Sequence, residues 1–476
     1  YGRERLAEVQ ETLRDVPGVT VIIYDQRCAT EARRLRKRGL LPTPPARVVI
    51  NEAVCEGCGD CRTKSNCASV LPYPTELGEK RRIDDVTCNR DYTCLEGDCP
   101  SFVTLVPKRE ARAPRAKRRV ALPQGELPVP ARAAMGEHFA VYFTGIGGTG
   151  VVTAGRLLTA AAEAAGLTVS SLDQTGLAQK GGAVVSHLHF ARSREALGAA
   201  VIGPAGADLY LSGDIFQAAS AVHLGRVLPG RTLAAVDRTI TPTSSMQQTG
   251  ELAPDVKSLQ RAVSDQVGEG RAVFVDAQRI AEKVFAQNVL GNVVLLGAAF
   301  QRAGLPFSLA DIEAGIARRG ASAADREAFE WGRWAAHDPA AVQAALGGAA
   351  GELRVAGYEP STSARATALQ LVAAAGAIPA ELVDLVQRRT AQVIDYQDVS
   401  LARRYLELVT RTLARDNVER GWELTRAVAQ AWFRLLAYKD EYEVARLYAD
   451  PAFMDKVKAQ FDGDYRLHFH LAPPLL

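Results

Sequence analysis

Seven of the eight cysteines lie between Cys55 and Cys99, and the sequence after Cys99 contains none. A disulfide scaffold is usually short and spreads its cysteines over the whole fold, so clustered thiols in a long chain indicate a metal site. Cys55, Cys58 and Cys61 share a C-x2-C-x2-C spacing that gathers three thiolates on one tight loop. A cubane iron–sulfur cluster takes three ligands from such a loop and a fourth from elsewhere in the chain.

A second run of cysteines ends in a Cys-Pro pair, like the runs of bacterial two-cluster ferredoxins, in which the fourth cysteine of each run serves the other cluster. This exchange predicts a first [4Fe-4S] cluster on Cys55, Cys58, Cys61 and Cys99. It predicts a second on Cys67, Cys88, Asp91 and Cys94. Asp91 fills the middle position three residues after Cys88, and its harder oxygen would hold iron more weakly than a thiolate.

Other assignments of the cysteines stay open. A single cluster could use Cys55, Cys58, Cys61 and Cys67, which leaves the later cysteines structural or free. Zinc is the other metal to consider, but zinc sites usually present pairs of cysteines in tetrahedral array, and a third cysteine at the same spacing suits a cube better. Cys28 stands apart from the group, and we interpret it as a buried or junction thiol, with a redox role as the alternative.

Two strongly basic runs flank the cysteines. Residues 27–38 carry six basic side chains against one Glu, and residues 108–119 carry seven against one Glu, although the whole chain has a net charge of only +3. Solvated helix and linker faces would explain such runs, but their position favours attraction of an acidic protein partner. Nucleic acid is not expected as a partner, because aromatic residues make up 7% and the runs carry none for stacking. No membrane association is expected either, because no apolar run approaches the ~18 residues of a membrane span.

The 476 residues predict about three domains, and 47% apolar residues exclude wholesale disorder. We expect a multidomain α/β plus α fold. Residues 1–45 combine a helix at 3–16, a strand at 19–24 and a basic helix, too little to hold a core alone, so we expect them to be the tail of an upstream α/β domain. The remaining units are a ferredoxin-like two-cluster module (46–106), a basic Pro- and Ala-rich linker (107–136), a Rossmann-like α/β domain (137–335) and a mainly helical region that we expect to be truncated (336–476).

A glycine-rich loop follows the first strand of the Rossmann-like domain. The order is a strand at 139–144, Gly-x-Gly-x-x-Gly, a helix, a strand at 167–172 and Asp173, which is the spacing of a dinucleotide fingerprint. The next polar loop, Gln179 to Gly182, contains Lys180 and leads straight to another strand, which is not the usual continuation of a dinucleotide site. A helix N-terminus beside a cation favours phosphate, so we predict cofactor binding by Gly145, Gly147, Gly148, Gly150 and Lys180. A purely structural glycine turn is the alternative.

Two further motifs favour structural interpretations. His187 and His189 alternate on a predicted strand and share a face, which is more typical of core or sheet-surface histidines than of a metal pair. The run from Tyr438 to Tyr442 is more typical of a capped helix junction than of a catalytic site. We assign no catalytic acid, base or nucleophile.

Taken together, these motifs resemble the large fused bacterial indolepyruvate ferredoxin oxidoreductases, of the 2-oxoacid:ferredoxin oxidoreductase group. The resemblance is carried by both cysteine runs, the two glycine loops, Asn292–Gly297 and Ala437–Arg446. It implies that the Rossmann-like domain is of the gamma type. It also implies oxidative decarboxylation of an aryl or related 2-oxoacid to an acyl-CoA, with single electrons passing through the clusters to ferredoxin.

The thiamine sites of this group carry Gly-Asp-Gly, which is absent from this sequence. The resemblance therefore implies that thiamine diphosphate and Mg bind in upstream domains outside these residues. Because a helix N-terminus lies beside a cation there, we expect the glycine loop with Lys180 to face the phosphates of coenzyme A. We also expect a cytoplasmic protein and a homo-oligomer. The alternatives are an NAD(P)H-linked iron–sulfur reductase, which Asp173 favours, and a non-catalytic electron-transfer or docking subunit.

Overall fold

The computed structural model describes residues 1–25, 27–65, 67, 69–75, 77–85, 87–97, 99–108, 115–116, 120–176, 182–241, 254–285, 287–318, 323–346 and 358–471. Lys180 and most of the basic run at 108–119 lie outside these residues. None of the helices in the described ranges combines the length and hydropathy needed to cross a bilayer.

The strands are β1 (Arg47–Ile50), β2 (Val70–Thr75), β3 (Gly78–Ile83), β4 (Phe102–Pro107), β5 (Arg115–Ala116), β6 (His138–Ile146), β7 (Thr168–Thr175), β8 (Ala183–Ala191), β9 (Leu209–Ser212), β10 (Leu233–Asp237), β11 (Ala272–Val275), β12 (Phe461–Asp462) and β13 (Tyr465–Phe469).

The helices before the C-terminal region are α1 (Leu6–Arg14), α2 (Ala29–Lys37), α3 (Asp60–Ser65), α4 (Val151–Ala164), α5 (Ile215–Ala218), α6 (Ala221–Leu224), α7 (Val256–Val267), α8 (Ala277–Ile280), α9 (Gly291–Gln301), α10 (Leu309–Arg318), α11 (Ala323–His337) and α12 (Pro339–Ala345). Those of the C-terminal region are α13 (Thr362–Ala374), α14 (Ala380–Tyr396), α15 (Val399–Leu413), α16 (Glu423–Leu436), α17 (Glu441–Ala449) and α18 (Pro451–Gln460). Short 3-10 helices span Arg3–Arg5, Thr93–Gly97, Asn288–Leu290 and Val418–Arg420, and a π-helix spans Ala281–Phe285.

A six-stranded sheet in the order β11-β10-β9-β6-β8-β7 forms the centre of the α/β domain. The strands β6, β9, β10 and β11 are parallel, and β8 pairs antiparallel with both β6 and β7. The predicted mixed α/β class is thus confirmed. The strand order of a dinucleotide-binding domain is not confirmed, because β8 lies between β6 and β7. The physical reason is the connection between β7 and β8, residues 176–182, which is too short for a helical crossover and allows only an antiparallel return.

Helix α9 is buried along most of its length and packs against α11 in the core of this domain. Their backbones approach so closely that a Cβ on Gly297 would lie 2.0 Å from the carbonyl oxygen of Phe329, and one on Gly332 would lie 1.8 Å from that of Val294. The described part of the basic linker, 120–136, lies against these helices. Its backbone oxygen at Pro128 accepts a hydrogen bond of 2.9 Å from Gln301.

The predicted helical character of the C-terminal region is confirmed by α13 to α18. Helices α14, α15 and α16 pack around buried Leu and Val side chains, which follow the apolar spacing of the sequence. Residues 465–469 form a strand, β13, which pairs antiparallel with β4 of the cysteine module. The three strands β1, β4 and β13 thereby form one sheet.

The strand expected at residues 19–24 is wrong. No described residue pairs with this segment, and Val19 and Ile23 are 97% and 88% exposed. An apolar alternating run becomes a strand only where an edge is available to complete its backbone hydrogen bonds. The helices expected on either side are present as α1 and α2.

Candidate metal centre

The predicted ligands lie on two loop regions of the cysteine module. Cys55 and Cys58 occupy the loop between β1 and α3, and Cys61 lies in α3. Cys88 and Asp91 follow β3, and Cys94 lies in the 3-10 helix at 93–97. Val70 and Phe102 are among the apolar residues that bury three of the thiols, those of Cys55, Cys61 and Cys94. No disulfide joins any of the eight cysteines, all of which lie in the described ranges.

The loop at 55–61 depends on glycine. Gly57 and Gly59 have φ angles of +72° and +84°, a region that residues with a Cβ rarely adopt. A Cβ at Gly57 would also lie 2.0 Å from the carbonyl oxygen of Glu79. The amide of Gly57 is close enough to the sulfur of Cys55 to favour the thiolate, which lowers the pKa against the larger effect of burial. This conformation wraps backbone donors around the first thiol.

The loop at 88–94 repeats this conformation without glycine. Arg90 and Tyr92 have φ angles of +55° and +63°. They lie two and four residues after Cys88, just as Gly57 and Gly59 lie two and four residues after Cys55. The amide of Arg90 lies 3.4 Å from the sulfur of Cys88, which matches the contact of Gly57. Positive φ at non-glycine residues is costly and is common at functional sites.

Electrostatic interactions divide the ligands into two sets. Burial is the largest cause that raises the pKa of Cys61 to about 12, and the thiols that raise it further are those of Cys99, Cys55 and Cys58. Burial likewise raises the pKa of Cys94 to about 12, and the groups that add to it are Cys67, Cys88 and Asp91. The neighbours of each thiol are the partners that the exchange of cysteines predicts for it, and the assignment of two clusters stays a prediction.

Within the described residues, no group of three or more His, Cys, Asp or Glu side chains lies close enough together to hold a metal ion. The groups around the two sets show whether a cluster fits. Some buried arginine nitrogens near the two sets have no hydrogen-bond partner among the described residues. Nε and Nη2 of Arg62 and Nε of Arg81 belong to side chains that interact with Cys61, and Nε of Arg36 belongs to the side chain that bonds the carbonyl of Asn89. Buried donors are normally satisfied, and an anionic cluster with thiolate ligands would satisfy them. The residues present fit such a group.

Asp91 is exposed and has a local structural contact as well. Its Oδ1 accepts hydrogen bonds from the amide and the hydroxyl of Thr93, at 3.4 and 3.1 Å. These bonds hold the carboxylate at the start of the 3-10 helix. The assignment of Asp91 as a ligand stays a prediction.

The basic helix α2 contacts the second set, which sequence analysis did not foresee. Arg33 donates to the carbonyl oxygen of Thr87 at 3.1 Å, and Arg36 donates to that of Asn89 at 2.7 Å. These two carbonyls flank Cys88. Arg34 on the same helix and Arg38, directly after its last residue, remain exposed. Cys28 is exposed and lies directly before α2, so it is a junction thiol and not a buried one, and it belongs to neither set.

The glycine loop between β6 and α4 has a closed side and an open side. Gly150 has a φ of +100°, and a Cβ there would lie 2.8 Å from the carbonyl oxygen of Val289. Buried Asn292 donates to the carbonyl oxygen of Thr149 at 3.0 Å. Gly148 is exposed, and nothing lies within 4 Å of its Cβ position. Among the described residues, therefore, any ligand would meet the loop at Gly148, and Lys180 lies outside these residues.

The same segment connects the glycine loop with the second set of ligands. Asn288, next to Val289, lies 3.5 Å from the carboxylate of Asp84. The backbone oxygen of Asp84 accepts a hydrogen bond of 3.0 Å from the amide of Cys88. A short chain of contacts therefore links the α/β domain to Cys88.

The run at 438–442 is a capped helix junction, because the carboxylate of Asp440 accepts from the amide of Glu443 at 2.8 Å at the start of α17. The same run brings Lys439 to the loop of the first set, where its Nζ lies 3.5 Å from the carbonyl oxygen of Cys55. The residues are separated by 384 positions, so no local sequence signal could have found this contact.

His187 and His189 are buried and hydrogen-bonded within the domain. Nδ1 of His187 accepts from the amide of Ile202 at 3.0 Å, and Nδ1 of His189 lies 2.7 Å from Nε2 of His138. Burial lowers the pKa of His187 to about 4, so it is neutral near pH 7. These are core histidines, as their alternation indicates.

Two families match separate parts of the chain. The family described as pyruvate ferredoxin/flavodoxin oxidoreductase matches residues 140–333, and a family of unknown function (DUF6537) matches residues 382–476. The indolepyruvate oxidoreductase subunit IorB of Archaeoglobus fulgidus is 31% identical over 37% of this chain and 83% of its own length. That of Pyrococcus horikoshii is 30% identical over 36% of this chain and 81% of its own.

Similar solved structures cover the same part of the chain. The gamma subunit of a keto/oxoacid ferredoxin oxidoreductase from Geobacter sulfurreducens has 21% identity and a TM-score of 0.29, covering 42% of this chain and 98% of its own. The pyruvate oxidoreductase subunit PORC from Thermotoga maritima has 18% identity and a TM-score of 0.30, covering 44% and 96%.

Proposed function

Since this chain belongs to the 2-oxoacid:ferredoxin oxidoreductase family, we propose that it supplies the electron-transfer and gamma-type parts of an indolepyruvate ferredoxin oxidoreductase. The reaction is the oxidative decarboxylation of indolepyruvate, or a related aryl 2-oxoacid, to an acyl-CoA. Its electrons leave singly for ferredoxin. Thiamine diphosphate and Mg belong to domains outside these residues.

The observation that carries this proposal is the repeated loop conformation around two sets of four predicted ligands. Cys55, Cys58, Cys61 and Cys99 hold one [4Fe-4S] cluster, and Cys67, Cys88, Asp91 and Cys94 hold the other. Such clusters supply one-electron transfer. The chain contributes three buried thiols, those of Cys55, Cys61 and Cys94. Arg62 and Arg81 add buried nitrogens without a hydrogen-bond partner in the described part of the chain, which would stabilise negative charge at the first set.

The basic helix α2 supports docking of an acidic carrier next to the second set. Arg33 and Arg36 fix the helix on the loop of Cys88, while Arg34 and Arg38 stay exposed to a partner. Positive charge next to the cluster from which electrons leave raises the rate of encounter with ferredoxin, and added salt weakens this effect.

The glycine loop binds the phosphates of coenzyme A in this proposal. Its open side at Gly148 and the N-terminus of α4 support this role, and Lys180 would add a cation. Lys180→Ala should raise the Michaelis constant for CoA at least several-fold, and Lys257→Ala on exposed α7 is the matched control. An unchanged constant in Lys180→Ala would leave a structural turn as the role of the loop.

Iron and acid-labile sulfide analysis with EPR spectroscopy tests the cluster proposal. About eight irons per chain are expected for two cubane clusters. Four irons would favour the single-cluster alternative, and zinc without sulfide would contradict the proposal altogether.

The NAD(P)H-linked reductase has less support, because β8 separates Asp173 on β7 from the glycine loop that follows β6. A subunit without catalytic activity of its own is the second candidate, since the similar curated proteins are named as subunits.

A further inference from the structure

The backbone carbonyl of Cys55 faces two lysines from distant parts of the chain. Nζ of Lys80, on β3, donates to this oxygen at 2.5 Å, and Nζ of Lys439, just before α17, lies 3.5 Å from it. Lys439 also lies 3.4 Å from the carbonyl oxygen of Val54. Lys80 is only 2% exposed. Two ammonium groups therefore meet at the backbone of one predicted cluster ligand.

The charges around this point do not balance. A cavity between the cysteine module and the helical region is lined by Lys80, Arg434, Lys439, Glu52, Glu56 and Glu443. Glu52 is already paired with Lys456, and Glu443 with Arg446. Among the carboxylates that line the cavity, this leaves Glu56 to balance Lys80, Arg434 and Lys439. Its carboxylate lies 2.5 Å from Nζ of Lys439 and 3.6 Å from Nη2 of Arg434. The site keeps an excess of positive charge.

We propose that Lys80 and Lys439 raise the reduction potential of the cluster held by Cys55, Cys58, Cys61 and Cys99. This inference rests on the proposed function, because it requires iron at the first set. One electron derived from the 2-oxoacid arrives and later leaves for ferredoxin, while no bond breaks and no proton is taken up. The added negative charge is stabilised by fixed positive charge in a site of low dielectric constant.

A purely structural role would not require both lysines. One donor satisfies the carbonyl of Cys55, and a second ammonium group nearby adds repulsion. Lys439 also comes from the helical region, whereas Lys80 belongs to the cysteine module. The potential of the first cluster thereby depends on how the helical region is docked.

Potentiometric titration of the full chain, followed by EPR, tests this inference. Lys439→Met should weaken one-electron reduction of one cluster about tenfold, which is 59 mV for a one-electron couple. Glu56→Gln removes the counter-charge and should shift the same cluster to a higher potential. Lys439→Arg keeps the charge and should retain the potential of the wild type. The other cluster is an internal control that should not move.

The opposite signs separate tuning from structure, because Lys439→Met and Glu56→Gln break the same ion pair. Shifts in the same direction, or no shift in a chain that holds its iron, would overturn this inference and leave the proposed function intact. A wild-type chain without iron and sulfide would overturn both. Iron and sulfide are therefore measured for every variant.

Discussion

Asp91 occupies the position in the second cysteine loop that Cys58 occupies in the first. Each lies three residues after the first cysteine of its loop, between two residues of positive φ: Gly57 and Gly59 in one loop, Arg90 and Tyr92 in the other. The two backbones therefore present their middle side chains alike. A carboxylate stands where symmetry would place a thiolate.

This equivalence predicts that one cluster loses iron easily. Mild oxidation of the wild-type chain should release about one iron and give the EPR signal of a three-iron cluster, because a carboxylate holds iron weakly. Asp91→Cys should resist this loss. Asp60→Asn, at an exposed carboxylate of α3, should behave like the wild type. Equal iron loss by the wild type and Asp91→Cys would show that Asp91 only caps its helix.

The exchange of cysteines predicts that each run serves both clusters. Cys99→Ser should remove the cluster of Cys55, Cys58 and Cys61, while Cys94→Ser should remove the other, so each variant retains about four irons. EPR should show that the two variants keep different clusters. If Cys99→Ser retained all of the iron and sulfide found in the wild type, the exchange would be contradicted.

The exposed face of α2 should control electron delivery. Replacing Arg34 and Arg38 together by Gln should lower the rate of ferredoxin reduction several-fold at low salt and reduce its salt dependence. Replacing Arg403 and Arg404, which are exposed on α15, removes the same charge from the helical region and serves as the control. Stopped-flow measurements at several salt concentrations give the rate of ferredoxin reduction for both double variants. An equal decrease in the two double variants would exclude a specific docking face on α2.

Gly150 should be less tolerant of substitution than Gly148. Both have positive φ, but only a Cβ at Gly150 meets another backbone, that of Val289. Gly150→Ala should lower the free energy of unfolding by about 2–4 kcal/mol, and Gly148→Ala by about 1 kcal/mol. Chemical denaturation measures both. If the two variants lost the same stability, the contact with Val289 would contribute nothing.

His187 should make the protein less stable in mild acid. Because burial lowers its pKa to about 4 in the folded state, protonation favours the unfolded chain as the pH falls from about 6.5 towards 4. The loss from pH 7 to pH 5 is about 2 kcal/mol. His187→Gln should show a smaller loss than the wild type, and His337→Gln, at an exposed position, should not. Chemical denaturation at pH 7 and pH 5 measures the loss of unfolding free energy in each protein. An equal loss in His187→Gln and in the wild type would contradict the prediction.

Patterns local in the sequence predicted most of what the structure contains. The cysteine spacing predicted the tight glycine loop at 55–61, whereas the assignment of the cysteines to two clusters stays a prediction. Apolar periodicity predicted helices such as α14 and α15, whose buried faces follow directly from it. The core position of His187 followed from alternation along β8.

Features that depend on distant partners were missed. The segment 19–24 has the composition of a strand but finds no partner edge among the described residues. The antiparallel insertion of β8 between β6 and β7 depends on strand order, which local patterns do not encode. The contacts of Lys439 with Cys55 and of Arg36 with Asn89 join residues 384 and 53 positions apart.

The pairing of β13 with β4 has a consequence for biogenesis. Leu467 lies opposite Leu105, so β4 gains its second neighbour only after more than three hundred further residues have been synthesised. During synthesis, therefore, the sheet formed by β1 and β4 lacks its third strand until residues 465–469 emerge from the ribosome. Completion of this layer therefore waits for a segment synthesised long after the cysteine module that it covers.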